Sequence, residues 1–174
     1  MITTVAAKPD DEFFLFQLYS LTRQDELLSW GWGEQEKQAF LSMQWRAQTM
    51  SYAAAYPNGL REIVQQQAPI GQLYTSCHGN RWLLIDISLL PEYRNQGIGS
   101  SLIQRLQEQA RRAEANIQLS VLPMSSAAPL YYRLGFRHVS SSGLHHILEW
   151  SYLHNDHNDN NNPNIDAEGC VLDG

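Results

Sequence analysis

WLLIDISLLPEYRNQGIGSS, residues 82–101, divides at Pro91. Before it stands an apolar, strand-like run; after it comes a basic turn punctuated by Gly97 and Gly99. From Leu102 onward, Leu106, Ala110 and Ala113 recur at three- and four-residue steps, which predicts a helix whose N-terminus is that turn. The first turn of a helix leaves amide N–H groups without intrahelical partners and carries the positive end of the dipole, so a strand–turn–helix of this kind can hold a pyrophosphate.

Three phosphate-binding patterns compete for the turn. A P-loop requires Lys and then Ser or Thr after its second glycine, whereas Gly99 is followed by Ser100, Ser101 and Leu102. A dinucleotide fingerprint requires a small residue where Leu102 stands and a carboxylate ending the next strand, and Ile117–Val121 contains none. The remaining pattern is Arg/Gln-x-x-Gly-x-Gly/Ala, with Arg94, Gly97 and Gly99 at its fixed positions. Further on, IQLSVLP (117–123) alternates as a strand does, and SSAAPLYYRLGF (125–136) carries Leu-Tyr on a short helix ending at Gly-Phe. Together, in this order and over about residues 60–150, the two motifs resemble those of the GNAT acyl-CoA-dependent N-acetyltransferases.

The rest of the chain supplies a frame of matching type. Ile2–Ala6 reads as a strand. Phe13, Phe14, Leu18, Leu21, Leu27 and Leu28 form an apolar stripe interrupted at Thr22–Asp25, which predicts one helix ending and another starting. From Glu34 to about Ala55, Ala39, Phe40, Met43, Ala47, Met50 and Ala54 repeat at helical spacing until Pro57-Asn58-Gly59. Strands are expected at Leu60–Gln66, Gln72–His78 and Trp82–Leu90, with a turn at Pro69-Ile70-Gly71. The expectation is a single α/β layered domain over residues 1–153, a mostly antiparallel mixed sheet with helices on both faces.

Residues 154–174, HNDHNDNNNPNIDAEGCVLDG, have too few apolar groups to offset the entropy of ordering and read as a disordered tail. His154 and His157 there offer at most a transient surface metal site, and no metal is expected in the domain. The formal charge of −6 is concentrated in this tail: five of the eighteen acidic residues lie in it, leaving thirteen against twelve Lys and Arg in the domain. A nearly neutral domain without a basic cluster argues against nucleic acid as a partner. No apolar run approaches a membrane span, and MITTVAAKPDDEFF lacks the layout of a signal peptide, so the expected location is cytoplasmic and off the membrane. Cys77 and Cys170 suggest neither a disulfide framework nor a thiolate metal site.

The resemblance implies direct acetyl transfer from acetyl-CoA to an amine of a small molecule or a peptide, and assigns roles by position. Main-chain N–H groups from Gln96 through Gly97, Ile98 and Gly99 to Ser100 would take the pyrophosphate, with Arg94 and Asn95 beside it. An N–H at the end of the signature strand would polarise the thioester carbonyl, Leu89 first and Leu90 second. Tyr131, with Tyr132 as rival, would face the departing thiolate. Ser125 stands where many members carry an Asn for the pantetheine arm. Asp86, the one carboxylate in an apolar strand, is a candidate base, an amine anchor or a structural group; burial would raise its pKa. Trp32, Gln44, Gln48 and Tyr56 are candidates for the acceptor pocket. The same fold could instead bind acyl-CoA without turnover, or use another acyl donor, and a strand edge near residues 138–150 is open to pairing with a second copy.

Overall fold

A computed structural model describes residues 1–153, and the expected tail with His154 and His157 lies outside the described residues. In chain order the elements are β1 (Thr3–Ala6), α1 (Glu12–Leu28), α2 (Glu34–Ala55), β2 (Gly59–Gln65), β3 (Pro69–His78), β4 (Arg81–Leu89), α3 (Ile98–Arg112), β5 (Asn116–Val121), α4 (Ala128–Arg133), β6 (Arg137–Ser142) and β7 (His145–Trp150). The seven strands form one mixed sheet in the order β1-β2-β3-β4-β5-β7-β6. Only β4 and β5 run parallel, joined by the α3 crossover; the other neighbours are antiparallel.

One face of the sheet packs on α3 and α4. Leu102, Ile103, Leu106 and Ala110 project from α3 onto Leu84, Ile117, Leu119 and Leu148, all buried, the spacing by which a helix buries a single stripe. Arg111 and Arg112 close α3 at its negative end. The other face packs on α1 and α2, where Leu15, Tyr19, Leu41 and Trp45 cluster with Ile63 of β2. No helix among the described residues is long and apolar enough to cross a membrane.

Two local expectations are corrected. α1 is one continuous helix through Thr22–Asp25. The Thr22 hydroxyl donates to the Tyr19 carbonyl at 2.7 Å, and the Arg23 guanidinium lies over the Tyr19 ring at 4.7 Å, so these polar residues decorate the helix without ending it. Likewise Pro69-Ile70-Gly71 opens β3 instead of turning before it. Proline is tolerated as the first residue of a strand, and the Ile70 carbonyl accepts the Leu90 N–H at 2.8 Å. Gly71 is required there for space: a Cβ would stand 2.3 Å from the Ser88 oxygen and 2.7 Å from Leu89 Cδ2.

Candidate functional site

The site forms where β4 and β5 part. Their parallel pairing runs from Arg81↔Asn116 only to Leu84↔Leu119, although β4 continues to Leu89. The register of β4 against β3 shifts at the same point. Tyr74 pairs with Asp86 and Thr75 with Leu84, leaving Ile85 as the extra residue of a β-bulge. Before the bulge Leu84 faces α3; after it Ile87 and Leu89 do. Ile85 and Asp86 therefore lie in succession on the α1/α2 face, and that side of the sheet gains a carboxylate which strict alternation would have sent to the opposite core.

Main-chain polarity at the end of β4 follows from the ladder. Because Leu90 N–H is committed to Ile70, the adjacent Gly71↔Leu89 pair is a non-hydrogen-bonded one. Leu89 N–H thus points away from β3, toward the side from which β5 has already diverged. Leu90 N–H does not. Arg94 Nε donates to the Leu89 carbonyl at 2.9 Å and braces the strand end.

The turn after β4 holds two left-handed residues, Asn95 at φ 58° and Gly97 at φ 78°; the latter suits only glycine without strain. The first intrahelical bond of α3 runs from Ser101 N–H to Gly97 O at 3.0 Å, so the amides of Ile98, Gly99 and Ser100 precede the ladder and aim outward. A Cβ on Gly97 would meet nothing within 4 Å, and one on Gly99 would make only ordinary contact with Leu130 Cδ2 at 3.7 Å. Internal packing therefore does not require glycine at 99, whereas an anion drawn close to the main chain would.

Beyond β5, Ser125 is 5% exposed and its Oγ has no hydrogen-bond partner among the described residues. A buried orphan hydroxyl is costly in a folded protein, and an amide-bearing arm laid between β4 and β5 is the kind of ligand that satisfies it. The outward amides, the empty space over Gly97 and this hydroxyl fit a CoA-type ligand. Tyr131 on α4 is fully buried, with its ring 5.9 Å from Phe136 and edge-on to it; Tyr132 is partly exposed.

On the α1/α2 face a cleft of about 310 Å³ opens, lined by Tyr52 and Tyr56 from α2, Ile85 from β4, Gln118 and Ser120 from β5, and His145 from β7. Tyr52 packs edge-on to Tyr56 and tilted against Tyr74, each at 5.8 Å between centroids. Asp86 sits in this region, 4% exposed. Gln72 Nε2 donates to Asp86 Oδ2, and Arg61 donates to Gln72 Oε1 at 3.2 Å while stacking on Tyr74 and Trp45. Burial pushes the Asp86 carboxyl up to about 6, against the opposing pull of Arg61 and of hydrogen bonds from Ile87 N–H, Gln72 and Ser88. The Tyr52 phenol is pushed up to about 12, by burial first and then by the Asp86 charge.

Of the acceptor-pocket candidates, Tyr56 lines the cleft. Trp32 lies elsewhere, in an edge-on cluster with Trp30 and Phe40. Gln44 accepts from the Tyr19 hydroxyl at 3.4 Å, and Gln48 is half-buried on α2; neither lines the cleft. Sequence reasoning does not single out Gln118, Ser120 or His145. Strand alternation places Gln118 and Ser120 on one face of β5, but nothing local says that α2 ends above them.

Residues 60–138 match the family model described as the acetyltransferase (GNAT) domain. Among solved structures, PaiA N-acetyltransferase from Thermoplasma acidophilum, in complex with coenzyme A, is similar with a TM-score of 0.66 at 17% identity, covering 87% of this chain and 99% of that one. The ribosomal-protein-S18-alanine N-acetyltransferase from Escherichia coli superposes with a TM-score of 0.57 at 17% identity, covering 91% and 98%. An acetyltransferase from Thermus thermophilus gives 0.62 at 15% identity, covering 87% and 97%. At these identities the likeness is one of fold. No curated protein matches the chain.

Proposed function

The chain belongs to the GNAT acetyltransferase superfamily, and from that premise we propose that it transfers an acetyl group directly from acetyl-CoA to a primary amine. The observation that carries the proposal is the divergence of β4 from β5 beyond Leu84↔Leu119, followed after the end of β4 by a helix start with outward amides.

Acetyl-CoA, when bound, supplies an activated thioester; the chain holds it and moves protons around it. Amides from Gln96 to Ser100 take the pyrophosphate, and the terminal nitrogens of Arg94 with Asn95 flank it. Ser125 Oγ serves the pantetheine arm. Leu89 N–H stabilises the charge that develops on the thioester oxygen, a contribution of about 2.7–4 kcal/mol for a well-aimed donor. As the new C–N bond forms and the C–S bond breaks, the Tyr131 hydroxyl hydrogen-bonds the departing sulfur. Asp86 receives the proton that an ammonium must lose before it can attack, with Tyr52 coupling cleft and carboxyl: it lines the one and feels the charge of the other.

A catalytically silent acyl-CoA-binding module is the second reading, favoured by the commitment of Asp86 to Gln72 within a buried chain. Thiol release from acetyl-CoA, followed over pools of small and peptide amines, separates the two. Amine-dependent release is the expected result, and tight CoA binding with no release from any pool would favour the silent module. Longer acyl-CoAs in competition with acetyl-CoA report the donor preference.

A further inference from the structure

Facing Tyr52 and Tyr56 across the cleft, the sheet presents a hydrogen-bond acceptor whose orientation the chain itself fixes. Gln118 of β5 and Glu149 of β7 are direct cross-strand partners, so their side chains share a face. Gln118 Nε2 donates to Glu149 Oε2 at 2.6 Å. The other carboxylate oxygen takes Asn116 Nδ2 at 3.3 Å, and Asn116 Oδ1 in turn accepts the Tyr152 N–H at 3.2 Å. An ionised carboxylate only accepts, so the end of Gln118 that meets it must be the NH₂ group; a flipped amide would set two acceptors against each other. Gln118 Oε1 is thereby left to serve the cleft that Gln118 lines.

Tyr52 feels charge of both signs, that of Asp86 and those of Arg61 and Arg23, but these two cations stay out of the cleft's lining. Among the described residues its lining contains no Lys or Arg, while the carboxylates of Asp86 and Glu149 adjoin it. Arg61, the guanidinium that acts on Asp86, is held by Gln72 and lies over Tyr74 and Trp45. An acceptor bearing its own carboxylate would find no Lys or Arg in the lining and only the His145 imidazole as a possible counter-charge, whereas an N–H donor finds Gln118 Oε1. We infer that the acceptor is an amine without a carboxylate of its own, one of whose N–H groups donates to Gln118 Oε1, and that Gln118, oriented by Glu149, is the residue that sets this specificity. The inference rests on the acetyl-transfer reading above.

Matched pairs of free amino acids and their amides, assayed by thiol release from acetyl-CoA, test it. The assays run at pH 8, above the ordinary imidazole range. The amides are expected to exceed the acids in kcat/KM by about tenfold or more, the scale of one buried polar group left unsatisfied. Gln118→Met should raise KM for the amides about tenfold with kcat held within about twofold, the signature of lost binding equal in ground and transition states. Glu149→Gln, which allows the Gln118 amide to turn, should narrow the amide-over-acid preference; this variant and the unmutated protein decide the matter if Gln118→Met does not fold. Acetylation of acids and amides alike, or a folded Gln118→Met with unchanged KM, would overturn the inference and leave acetyl transfer standing. No acetylation of any amine by protein with acetyl-CoA bound would remove both.

Discussion

Tyr131→Phe is expected to lower kcat about a hundredfold, the lower end for loss of one donor aimed at developing charge, while the affinity for CoA stays within about twofold. The ring is already fully buried against Phe136, so the loss of one hydroxyl leaves the packing of α4 in place and the effect belongs to the chemistry. A phenol with a pKa of about 10 is a weaker acid than a thiol of about 8.5, which makes full proton transfer uphill by about 2 kcal/mol. A hydrogen bond that strengthens as charge builds on sulfur is the role those values support. Steady-state kinetics with the best amine, alongside calorimetry with CoA, checks the split. A variant as fast as the parent would move the role to Tyr132 or to water.

Asp86→Asn should lose about a hundredfold in kcat/KM and, at the same time, melt higher than the parent at pH 8. Burial holds the carboxyl at about 6 in place of 3.8. Between about pH 4 and pH 6 the unfolded chain therefore gives up this proton before the folded one does. Stability falls across that window as the pH rises, and the loss persists above it, by up to about 3 kcal/mol for two pKa units. An amide has no such charge to desolvate and its oxygen can still accept from Gln72, so the gain in melting temperature should be present at pH 8 and shrink toward pH 4. In the parent, kcat/KM should decline below about pH 6 as the carboxyl takes up its proton, and this acid limb should vanish in Asp86→Asn. Unchanged activity together with a lower melting temperature at pH 8 would make Asp86 a structural group.

What the sequence disclosed was local. The Arg94–Gly99 turn, the start of α3 and the Leu130-Tyr131 helix are legible because each depends on residues a few positions apart, through glycine conformation and helical spacing. The limits of α2 were legible for the same reason. The continuity of α1 was not, because a run of polar residue types at Thr22–Asp25 resembles a break until the Tyr19 carbonyl and ring are seen to receive Thr22 and Arg23. The bulge at Ile85 left no mark in an apolar run, yet it decides which face Asp86 occupies. The cleft draws on Tyr52 of α2, Gln118 of β5 and His145 of β7, residues brought together only by sheet order and by the seat of α2 over the sheet. Trp32 is a pocket candidate only by its nearness in sequence to other aromatic residues, and its ring packs with Trp30 and Phe40 away from the cleft.

Main-chain donors at the start of α3 are proposed to grip the diphosphate of CoA. Backbone amide NMR during a CoA titration tests this most directly. The N–H resonances of Gly97, Gly99 and Ser100 are expected to shift together and saturate at the calorimetric affinity, with Leu89 responding further when acetyl-CoA replaces CoA. Saturable binding of CoA that leaves those amides where they were, or no binding at all, would contradict it.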